Sequence, residues 1–364
     1  MLTRFRRGLA FTAVCCMTLL YFICLTDDCW KRKHKSVLPH TNQNLEEVKD
    51  IKNYSDFNSV YMTKQKKNTR RKNSRRKINK HPYLQPDFSK LDTFLLFIGY
   101  PRSGSTLIGS LLDAHPNIII ANEHNVITRW KNFTREQQTK EHVCTELYNN
   151  SVKESLKEQR AVFKKYFFHY HVPGLWQGKF DGQIKVIGDK KSTSTSRSLS
   201  NKRSNERFLA MKNVLNIPVK FIHLIRNPFD NIATMVLRAA HSGLRMKAVE
   251  SGLQLNSPTV LHKQMKTYLS LVDTNAKLRN RFGENVLDVH YSSFIRQPKI
   301  WLKTICDFLE VHCSDYYLDR SVSIIFKNET YTRRHIVWPD DVKQKILDKI
   351  KSTDFLNGLK FEIS

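Results

Sequence analysis

Residues Phe94 to Pro116 constrain the fold of this chain more than any other stretch. Phe94 to Ile98 is an uninterrupted apolar run of strand length, Gly99 to Gly104 supplies turn-forming residues, and an amphipathic run resumes at Thr106. Such a strand, glycine loop and helix form a cradle for an anion, because Gly104 lets the backbone approach a ligand and the first N–H groups of the helix have no internal partners. The sequence therefore predicts that this loop binds an oxyanion.

The loop has the spacing of a Walker A motif, but Ser105 occupies the place of the lysine that reaches the β- and γ-phosphates. A loop without that lysine is a poor candidate for nucleoside triphosphate chemistry. The run Pro-Arg-Ser-Gly-Ser-Thr resembles the 5′-phosphosulfate-binding loop of sulfotransferases, and Ile98 to Pro116 is most similar to that of the tyrosylprotein sulfotransferases. The resemblance implies a phosphosulfate-binding set made of Arg102, Ser103, Gly104, Ser105 and Thr106.

The stretch from Val219 to Asp230 resembles the 3′-phosphate-binding element of sulfotransferases, in which an arginine closes a strand and a hydroxyl completes the clamp. Those positions are Arg226 and Thr234 here, and Arg238 matches a further donor-binding arginine of the tyrosylprotein enzymes. Thr234 and Arg238 are one helical turn apart, so both can face one phosphate. An arginine that only pairs with a carboxylate is the alternative. Two elements, one for each end of the nucleotide, imply 3′-phosphoadenosine 5′-phosphosulfate (PAPS) as the donor.

Two further donor-site residues are predicted from the resemblance. The segment Val289 to Pro298 is similar to one in which a tyrosine lies against the donor, which implicates Tyr291, although a core tyrosine fits the same sequence. Arg333 precedes the last helix and is predicted to cover the adenine and phosphates, as a C-terminal loop does in related enzymes. Trp338 is predicted to be structural.

Sulfuryl transfer from this donor requires a base that takes the proton of the acceptor hydroxyl. It also requires positive charge near the sulfuryl oxygens and the leaving phosphate. Glu123, which follows the second strand, is the predicted base, and Lys190 and Arg102 are the predicted source of positive charge. The stretch between Pro116 and Glu123 is one residue longer than in the tyrosylprotein pattern, so His124 is the alternative base. No metal is expected in this site.

Strands alternate with helical stretches through the rest of the chain, which predicts an α/β domain with a P-loop-like central parallel sheet and helices on both faces. The predicted strands are Phe94–Ile98, Ile118–Ala121, Ile184–Gly188, Val219–Ile225 and Asn285–His290. The predicted helices are Thr106–Ala114, Phe229–Ala240, Met265–Arg279, Lys299–Glu310 and Asp340–Ile350. Ligands bind such sheets beyond the carboxyl ends of the strands, where the charged residues above lie.

The first part of the chain has the pattern of a membrane-anchored enzyme. Residues 1–7 are a basic tail, predicted to be cytoplasmic, and residues 8–26 are an uncharged run long enough for a transmembrane signal anchor. Residues 27–88 are predicted to be a basic disordered stem, and residues 89–364 a single lumenal catalytic domain. The predicted location is the Golgi membrane, as a single-pass type II protein.

The chain carries a net charge of +28, from 61 Lys and Arg against 33 Asp and Glu. This surplus suits a multiply anionic donor and an acceptor that is a glycan or an acidic protein, although charge alone would fit nucleic acid equally well. We expect no nucleic-acid partner, and a homodimer is left open. The basic run from Lys64 to Lys80 is predicted to be a solvated spacer, with capture of an anionic partner as the alternative.

Three of the seven cysteines, Cys144, Cys306 and Cys313, fall in the predicted domain, and the last two could close a short loop. Glycosylation sequons that favour the secretory pathway begin at Asn53, Asn132, Asn149 and Asn328. The predicted activity is therefore PAPS-dependent sulfuryl transfer to a hydroxyl of a glycan or a protein tyrosine. A membrane-anchored P-loop kinase or NTPase and an inactive glycan-binding protein are the alternatives.

Overall fold

The structure is a computed structural model that describes residues 86–157, 160–162, 166–240, 252 and 254–362. The predicted tail, the predicted anchor and all but the last three residues of the predicted stem lie outside this part of the chain. In the part that is described, no helix is both long and apolar enough to cross a bilayer. Phe88, placed by the sequence at the end of the stem, is 2% exposed and packs in the core.

Five parallel strands form the central sheet in the order β2-β5-β1-β6-β7. They are β1 (Thr93–Gly99), β2 (Ile118–Asn122), β5 (Val186–Lys190), β6 (Val219–Ile225) and β7 (Val286–His290). A separate antiparallel hairpin consists of β3 (Arg160–Val162) and β4 (Tyr166–Phe168). The predicted parallel α/β architecture is thus confirmed.

The described helices surround the sheet, and most are joined by short loops or 3-10 turns. They are α1 (Ser105–Leu112), α2 (Val126–Arg129), α3 (Lys140–Ser155), α4 (Ser192–Ser200), α5 (Lys202–Leu215), α6 (Pro228–Ala239), α7 (Pro258–Phe282), α8 (Tyr291–Arg296), α9 (Pro298–Phe308), α10 (Asp315–Val322) and α11 (Asp340–Lys351). The 3-10 turns are Trp130–Asn132, Gly283–Asn285, Thr332–His335 and Asp354–Leu356. All five predicted helices are present, with ends shifted by a few residues except for the longer α7.

The central strand β1 is buried along its whole length, which explains its continuous apolar sequence. Its side chains alternate between two faces. Leu95 and Phe97 pack with α1, α9 and α10, whereas Phe94, Leu96 and Ile98 pack with α3 and α5. A third cluster joins α6, α7 and α11. Helices therefore cover both faces, as the sequence predicted.

Strand β5 differs from its predicted bounds in a way that matters for the site. The apolar run predicted a strand over Ile184–Gly188, but the strand is Val186–Lys190. Asp189 and Lys190 pair in register with Ala121 and Asn122 of β2. The reason is that β2 continues alongside β5, so that both charged residues gain ladder partners and their side chains find polar partners inside the domain.

Helix α4 was not predicted, because its sequence STSTSRSLS is rich in hydroxyl residues that compete with helical backbone bonds. Tertiary contacts stabilise the helical conformation of this segment. The hydroxyl of Ser196 accepts a hydrogen bond from the Gly99 N–H at 3.0 Å and donates to Asn275 Oδ1 at 2.7 Å. α4 is thereby attached both to the end of β1 and to α7.

The two cysteines that the sequence placed seven positions apart form a disulfide. Cys306 in α9 is bonded to Cys313, and their Cα atoms are 6.1 Å apart. Cys144 is a buried free thiol in α3. The bond closes the connection between α9 and α10, on the side of the sheet that α1 covers.

Candidate active site

The glycine loop follows the carboxyl end of β1 and contains three residues with positive φ angles. Gly99 has φ +135°, Arg102 φ +67° and Gly104 φ +100°. Gly104 is the N-cap of α1 and supplies no side-chain cap, and the first turn of α1 carries no acidic residue. The initial N–H groups of Ser105 and Thr106 therefore face the loop without a helical carbonyl to receive them, as an anion site requires.

Neighbouring side chains fix the shape of this loop. The amide of Asn231 donates to the Pro101 carbonyl at 2.8 Å, and the buried hydroxyl of Ser103 donates to the Tyr100 carbonyl at 3.0 Å. Ser103 was predicted to bind the donor, and its hydroxyl hydrogen bond here is internal to the loop. The loop is thus held by β1 and α6 together.

Tyr291, the first residue of α8, lies directly against Gly104. A Cβ atom at Gly104 would come within 2.7 Å of Cε2 of the Tyr291 ring. The guanidinium carbon of Arg226 lies 5.4 Å from the centre of the same ring. Tyr291 therefore packs between the two predicted donor elements, and its contact with the donor stays a prediction.

Arg226 follows the last residue of β6 and joins the two predicted phosphate elements. Its Nη1 donates to the carbonyl of Arg102 at 3.3 Å and to Oγ1 of Thr234 at 3.0 Å. Its Nη2 donates to the carbonyl and hydroxyl of Thr330 at 3.1 and 3.2 Å. The structure thus brings Arg226, Thr234 and the loop together, whereas half-buried Arg238 lies one turn further along α6.

Arg333, predicted to cover the nucleotide, pairs with Asp230 in the first turn of α6. Its guanidinium forms a buried ion pair with Asp230, with Nη2 2.6 Å from Oδ2, and donates to the carbonyls of Lys360 and Phe361 at 2.6 and 2.8 Å. Trp338 donates to the Arg333 carbonyl at 2.9 Å. The described contacts of Arg333 attach the Thr332–His335 turn and the end of the chain to α6.

A carboxylate and two lysines meet at the carboxyl ends of β2 and β5. Oε1 of Glu123 lies 2.5 Å from Nζ of Lys190, and Oε2 contacts Nζ of Lys191. Nζ of Lys190 also donates to Oγ1 of Thr106 in the first turn of α1, at 3.1 Å. The predicted base, the predicted cation and the predicted phosphosulfate loop are therefore linked by direct contacts.

The ion pairs set the charge of this group. Burial alone would raise the pKa of Glu123, but the ammonium groups of Lys190 and Lys191 outweigh burial and hold that pKa below its usual value. Burial lowers the pKa of Lys190, and the Glu123 carboxylate opposes that shift. Glu123 is therefore an ionised carboxylate at neutral pH, which a base requires.

Gly109 explains how Lys190 reaches α1, and sequence reasoning did not identify it. A Cβ atom at Gly109 would come within 2.9 Å of Cγ of Lys190, so the lysine stem crosses the helix at this glycine. Glycine inside a helix costs about 1 kcal/mol relative to alanine. A glycine in the interior of a predicted helix was the available sequence signal.

Asp189 shapes the turn that carries Glu123, a role that sequence reasoning did not identify. Its carboxylate accepts the backbone N–H groups of His124 and Val126 at 3.1 and 2.9 Å. Glu123 and Asn125 both have positive φ, at +57° and +65°, so this turn is strained and needs such support. Burial raises the pKa of Asp189 to about 6, with its hydrogen bonds opposing the shift.

His124, the alternative base, has a different environment. Its Nε2 lies 3.7 Å from Glu146 of α3, and Arg129 donates to its carbonyl at 2.8 Å. Burial lowers the pKa of His124 to about 4, and the charge of Arg129 adds to this shift. His124 is therefore neutral at neutral pH, and its ring is directed to α3 while the Glu123 carboxylate is directed to the lysines.

Comparison with known proteins identifies the family of the chain. Residues 95–315 match the sequence model described as "Sulfotransferase family", which is more than half of the chain. The chain belongs to the sulfotransferase family. The matched residues include the glycine loop, the Glu123 turn, both lysines, Arg226 and Tyr291.

Two protein-tyrosine sulfotransferases are similar to this family member in sequence. The one from Drosophila melanogaster is 25% identical over 243 residues, which cover 65% of this chain and 43% of that protein. Protein-tyrosine sulfotransferase 1 from Danio rerio is 23% identical over 233 residues, which cover 62% of this chain and 56% of that protein. The chain thus spans about half the length of these curated relatives.

Among solved structures, the sulfotransferase domain of the Synechococcus PCC 7002 olefin synthase matches 75% of this chain and 98% of its own chain, with a TM-score of 0.39 and 17% identity.

Proposed function

We propose that this protein transfers a sulfuryl group from PAPS to a hydroxyl group of a secretory-pathway acceptor. The observation that carries the proposal is the convergence of three elements at one edge of the sheet: the uncapped α1 loop, the Arg226–Thr234 pair, and the Glu123–Lys190–Thr106 chain of contacts. Family membership supports the reaction class, and the contacts support the role of each residue.

The donor chemistry fits the residues that are present. The α1 N-terminus offers backbone N–H donors and the positive end of a helix dipole, which suit the phosphosulfate. Arg226 presents a planar guanidinium next to the Thr234 hydroxyl, which suits a second phosphate. PAPS carries both groups, and it supplies the activated sulfuryl group. Arg238 and Tyr291 are proposed to complete the donor site.

The proposed reaction uses Glu123 and Lys190 in separate roles. The acceptor hydroxyl oxygen forms the new bond to sulfur as its proton passes to Glu123. The bond between sulfur and the phosphate oxygen breaks, and its electron pair leaves with the phosphate of 3′,5′-bisphosphoadenosine. Lys190 and the α1 amide groups stabilise the negative charge that develops on those oxygens, and Arg102 is proposed to assist them.

The acceptor is proposed to be a protein tyrosine or a glycan hydroxyl. The names of the two sequence relatives favour tyrosine. The positive charge of the chain suits an acidic acceptor of either kind. We also propose that the protein is anchored in the Golgi membrane by residues 8–26 with its catalytic domain in the lumen, a proposal that rests on the apolar run and the sequons.

The decisive experiment offers the purified full chain PAPS labelled with radioactive sulfur, together with tyrosine peptides in acidic sequence contexts and a set of defined glycans. We expect label to move to one acceptor class, and Glu123→Gln should slow the transfer by a factor of about 10²–10⁴. ATP with magnesium serves as the control for phosphoryl transfer. Labelled phosphate transferred from ATP, with no sulfuryl transfer to any acceptor, would contradict the proposal.

A further inference from the structure

Both carboxylate oxygens of Glu123 are in contact with lysines, and the two lysines are not equivalent. Lys190 is 1% exposed and also bonds to Thr106 of the phosphosulfate loop, so its ammonium lies between the base and the donor cradle. Lys191 is 15% exposed, contacts the other oxygen, and lies at the start of α4. Lys190 therefore contacts both the carboxylate and the loop, whereas Lys191 approaches the other carboxylate oxygen from the N-cap position of α4.

We infer that Lys191 is a positioning residue for the base, which holds one Glu123 oxygen in place while the other oxygen receives the acceptor proton. The inference rests on the proposed function of Glu123. It goes beyond that function because it gives a distinct task to the second lysine.

The backbone geometry shows why such a residue is needed. The turn at Glu123 is fixed, because its N–H donates to the Lys190 carbonyl at 3.0 Å and Asp189 holds the next residues. The side chain beyond the backbone still has three rotatable bonds. If Lys190 turns its ammonium towards the sulfuryl oxygens, Oε1 becomes available to the acceptor. Lys191 then retains Oε2 and keeps the carboxylate in place.

Lys191 is itself well anchored for this task. Its carbonyl accepts the N–H of Thr195 at 2.9 Å, which places its backbone at the first turn of α4. α4 is in turn attached to the end of β1 through the hydrogen bond from Gly99 to Ser196. The positioning lysine and the donor loop are therefore carried by parts of the structure that are joined to each other.

The charged groups around Glu123 predict how removal of Lys191 acts. Lys190 and Lys191 face the Glu123 carboxylate, and the buried Asp189 is a nearby acidic group. Burial raises the pKa of Asp189, and the negative charge of Glu123 adds to this shift. On the neighbouring elements, Arg129 of α2 bonds the His124 carbonyl and Glu146 of α3 faces the neutral His124 ring. Loss of Lys191 removes one of two cations from the base, so protonation of Glu123 becomes easier.

The test compares Lys191→Met, Lys191→Arg and Lys190→Met with the wild-type full chain. We expect Lys191→Met to reduce kcat about 10- to 100-fold at neutral pH, because the base loses its orientation. The acid limb of its kcat–pH profile should move up by about one pH unit. Affinity for 3′,5′-bisphosphoadenosine, measured by calorimetry, should stay within about twofold of wild type. Lys191→Arg should restore most of kcat, and the exposed ion-paired Lys303→Met is the matched control.

Two further measurements separate the possible outcomes. In the Glu123→Gln background, Lys191→Met should have almost no additional effect on kcat, since the two residues act as a unit. Titration of the Glu123 carboxyl carbon by NMR, assigned from its absence in Glu123→Gln, should show the same upward shift in Lys191→Met without any need for turnover. This readout tests the inference even if the sulfuryl transfer itself is not observed.

The inference is overturned if Lys191→Met leaves both the NMR titration and the acid limb unchanged. It is also overturned if Lys191→Met weakens binding of 3′,5′-bisphosphoadenosine as strongly as Lys190→Met, since Lys191 would then be a donor ligand. A wild-type chain that transfers phosphate from ATP instead of sulfuryl groups would contradict the proposed function, and the NMR titration would still decide the contact between Lys191 and Glu123.

Discussion

Replacement of Gly104 by alanine tests the geometry of the donor loop most directly. The residue has φ +100°, and an added Cβ atom would lie 2.7 and 2.8 Å from Cε2 and Cδ2 of Tyr291. Real Cβ atoms do not approach other atoms so closely, so either the ring or the loop must move. Gly104→Ala should therefore reduce both the stability of the domain and its affinity for 3′,5′-bisphosphoadenosine, the nucleotide left after sulfuryl transfer.

The size of the effect follows from two separate penalties. A left-handed backbone costs alanine about 1–2 kcal/mol relative to glycine, and insertion of a methyl group into a packed site costs about 1–3 kcal/mol. The expected loss of unfolding free energy is thus about 2–5 kcal/mol. For a domain of this size, each kcal/mol lowers the Tm by roughly 2–4 °C.

Gly182 provides a matched control. It also has positive φ, at +67°, but a Cβ atom there would meet no heavy atom within 4 Å. Gly182→Ala should therefore show only the backbone penalty, about 1–2 kcal/mol. The difference between the two alanine variants measures the contact with Tyr291.

The assay is thermal unfolding followed by circular dichroism, together with calorimetry of 3′,5′-bisphosphoadenosine binding. Gly104→Ala should lose more Tm than Gly182→Ala and should bind the nucleotide at least tenfold more weakly. In a Tyr291→Ala background, the additional loss from Gly104→Ala should shrink to the backbone penalty. Equal Tm losses for the two glycine variants, with nucleotide affinity unchanged, would refute the proposed packing of the ring against the loop.

Four further predictions follow from the site. Arg226→Ala should weaken binding of 3′,5′-bisphosphoadenosine by about 1.5–3 kcal/mol, or roughly 10- to 150-fold, while the exposed Arg296→Ala should not; unchanged affinity in calorimetry would remove Arg226 from the donor site. Glu123→Gln should reduce kcat by about 10²–10⁴ with nucleotide affinity retained, and His124→Asn should cost much less; the reverse order in steady-state kinetics would exchange their roles. Asp189 has a folded pKa of about 6 against 3.8 for the free group, so its contribution to stability is full below 3.8 and is lost as the pH rises through 6; Asp189→Asn should flatten the Tm–pH curve in that range, and an unchanged slope would contradict the shift. Endoglycosidase treatment of protein made in animal cells should increase its electrophoretic mobility, and an unchanged band would argue against glycans on the exposed sequon residues of the domain, which are Asn132, Asn149 and Asn328.

The sequence by itself determined the fold class and located the two contiguous segments that we propose bind the donor. The apolar run of β1, the glycine loop and the start of α1 are consecutive in the chain, so their patterns could be read directly. The same holds for β6, Arg226 and α6, which are also contiguous. Local patterns of this kind report short-range geometry, and the structure confirms the strands and helices that they predicted.

Local sequence patterns could not predict the contacts between the proposed base and the two lysines. Glu123 lies 67 and 68 positions from the two lysines that it contacts, and only the register of β2 against β5 brings them together. The same register extends β5 through Asp189, which then supports the Glu123 turn. An apolar pattern cannot show this, because charged residues enter a strand only when partners from distant segments satisfy them.

Arg333 gives a second example. Resemblance to the C-terminal loop of related enzymes predicts that Arg333 covers the nucleotide, and this stays a prediction. Its described partners are Asp230 and two carbonyls near the end of the chain. The sequence shows that an arginine is present, but its role depends on which acceptors the folded chain places around its guanidinium. Those acceptors come from segments 103 and 27 to 28 positions away, and only the tertiary structure assembles them.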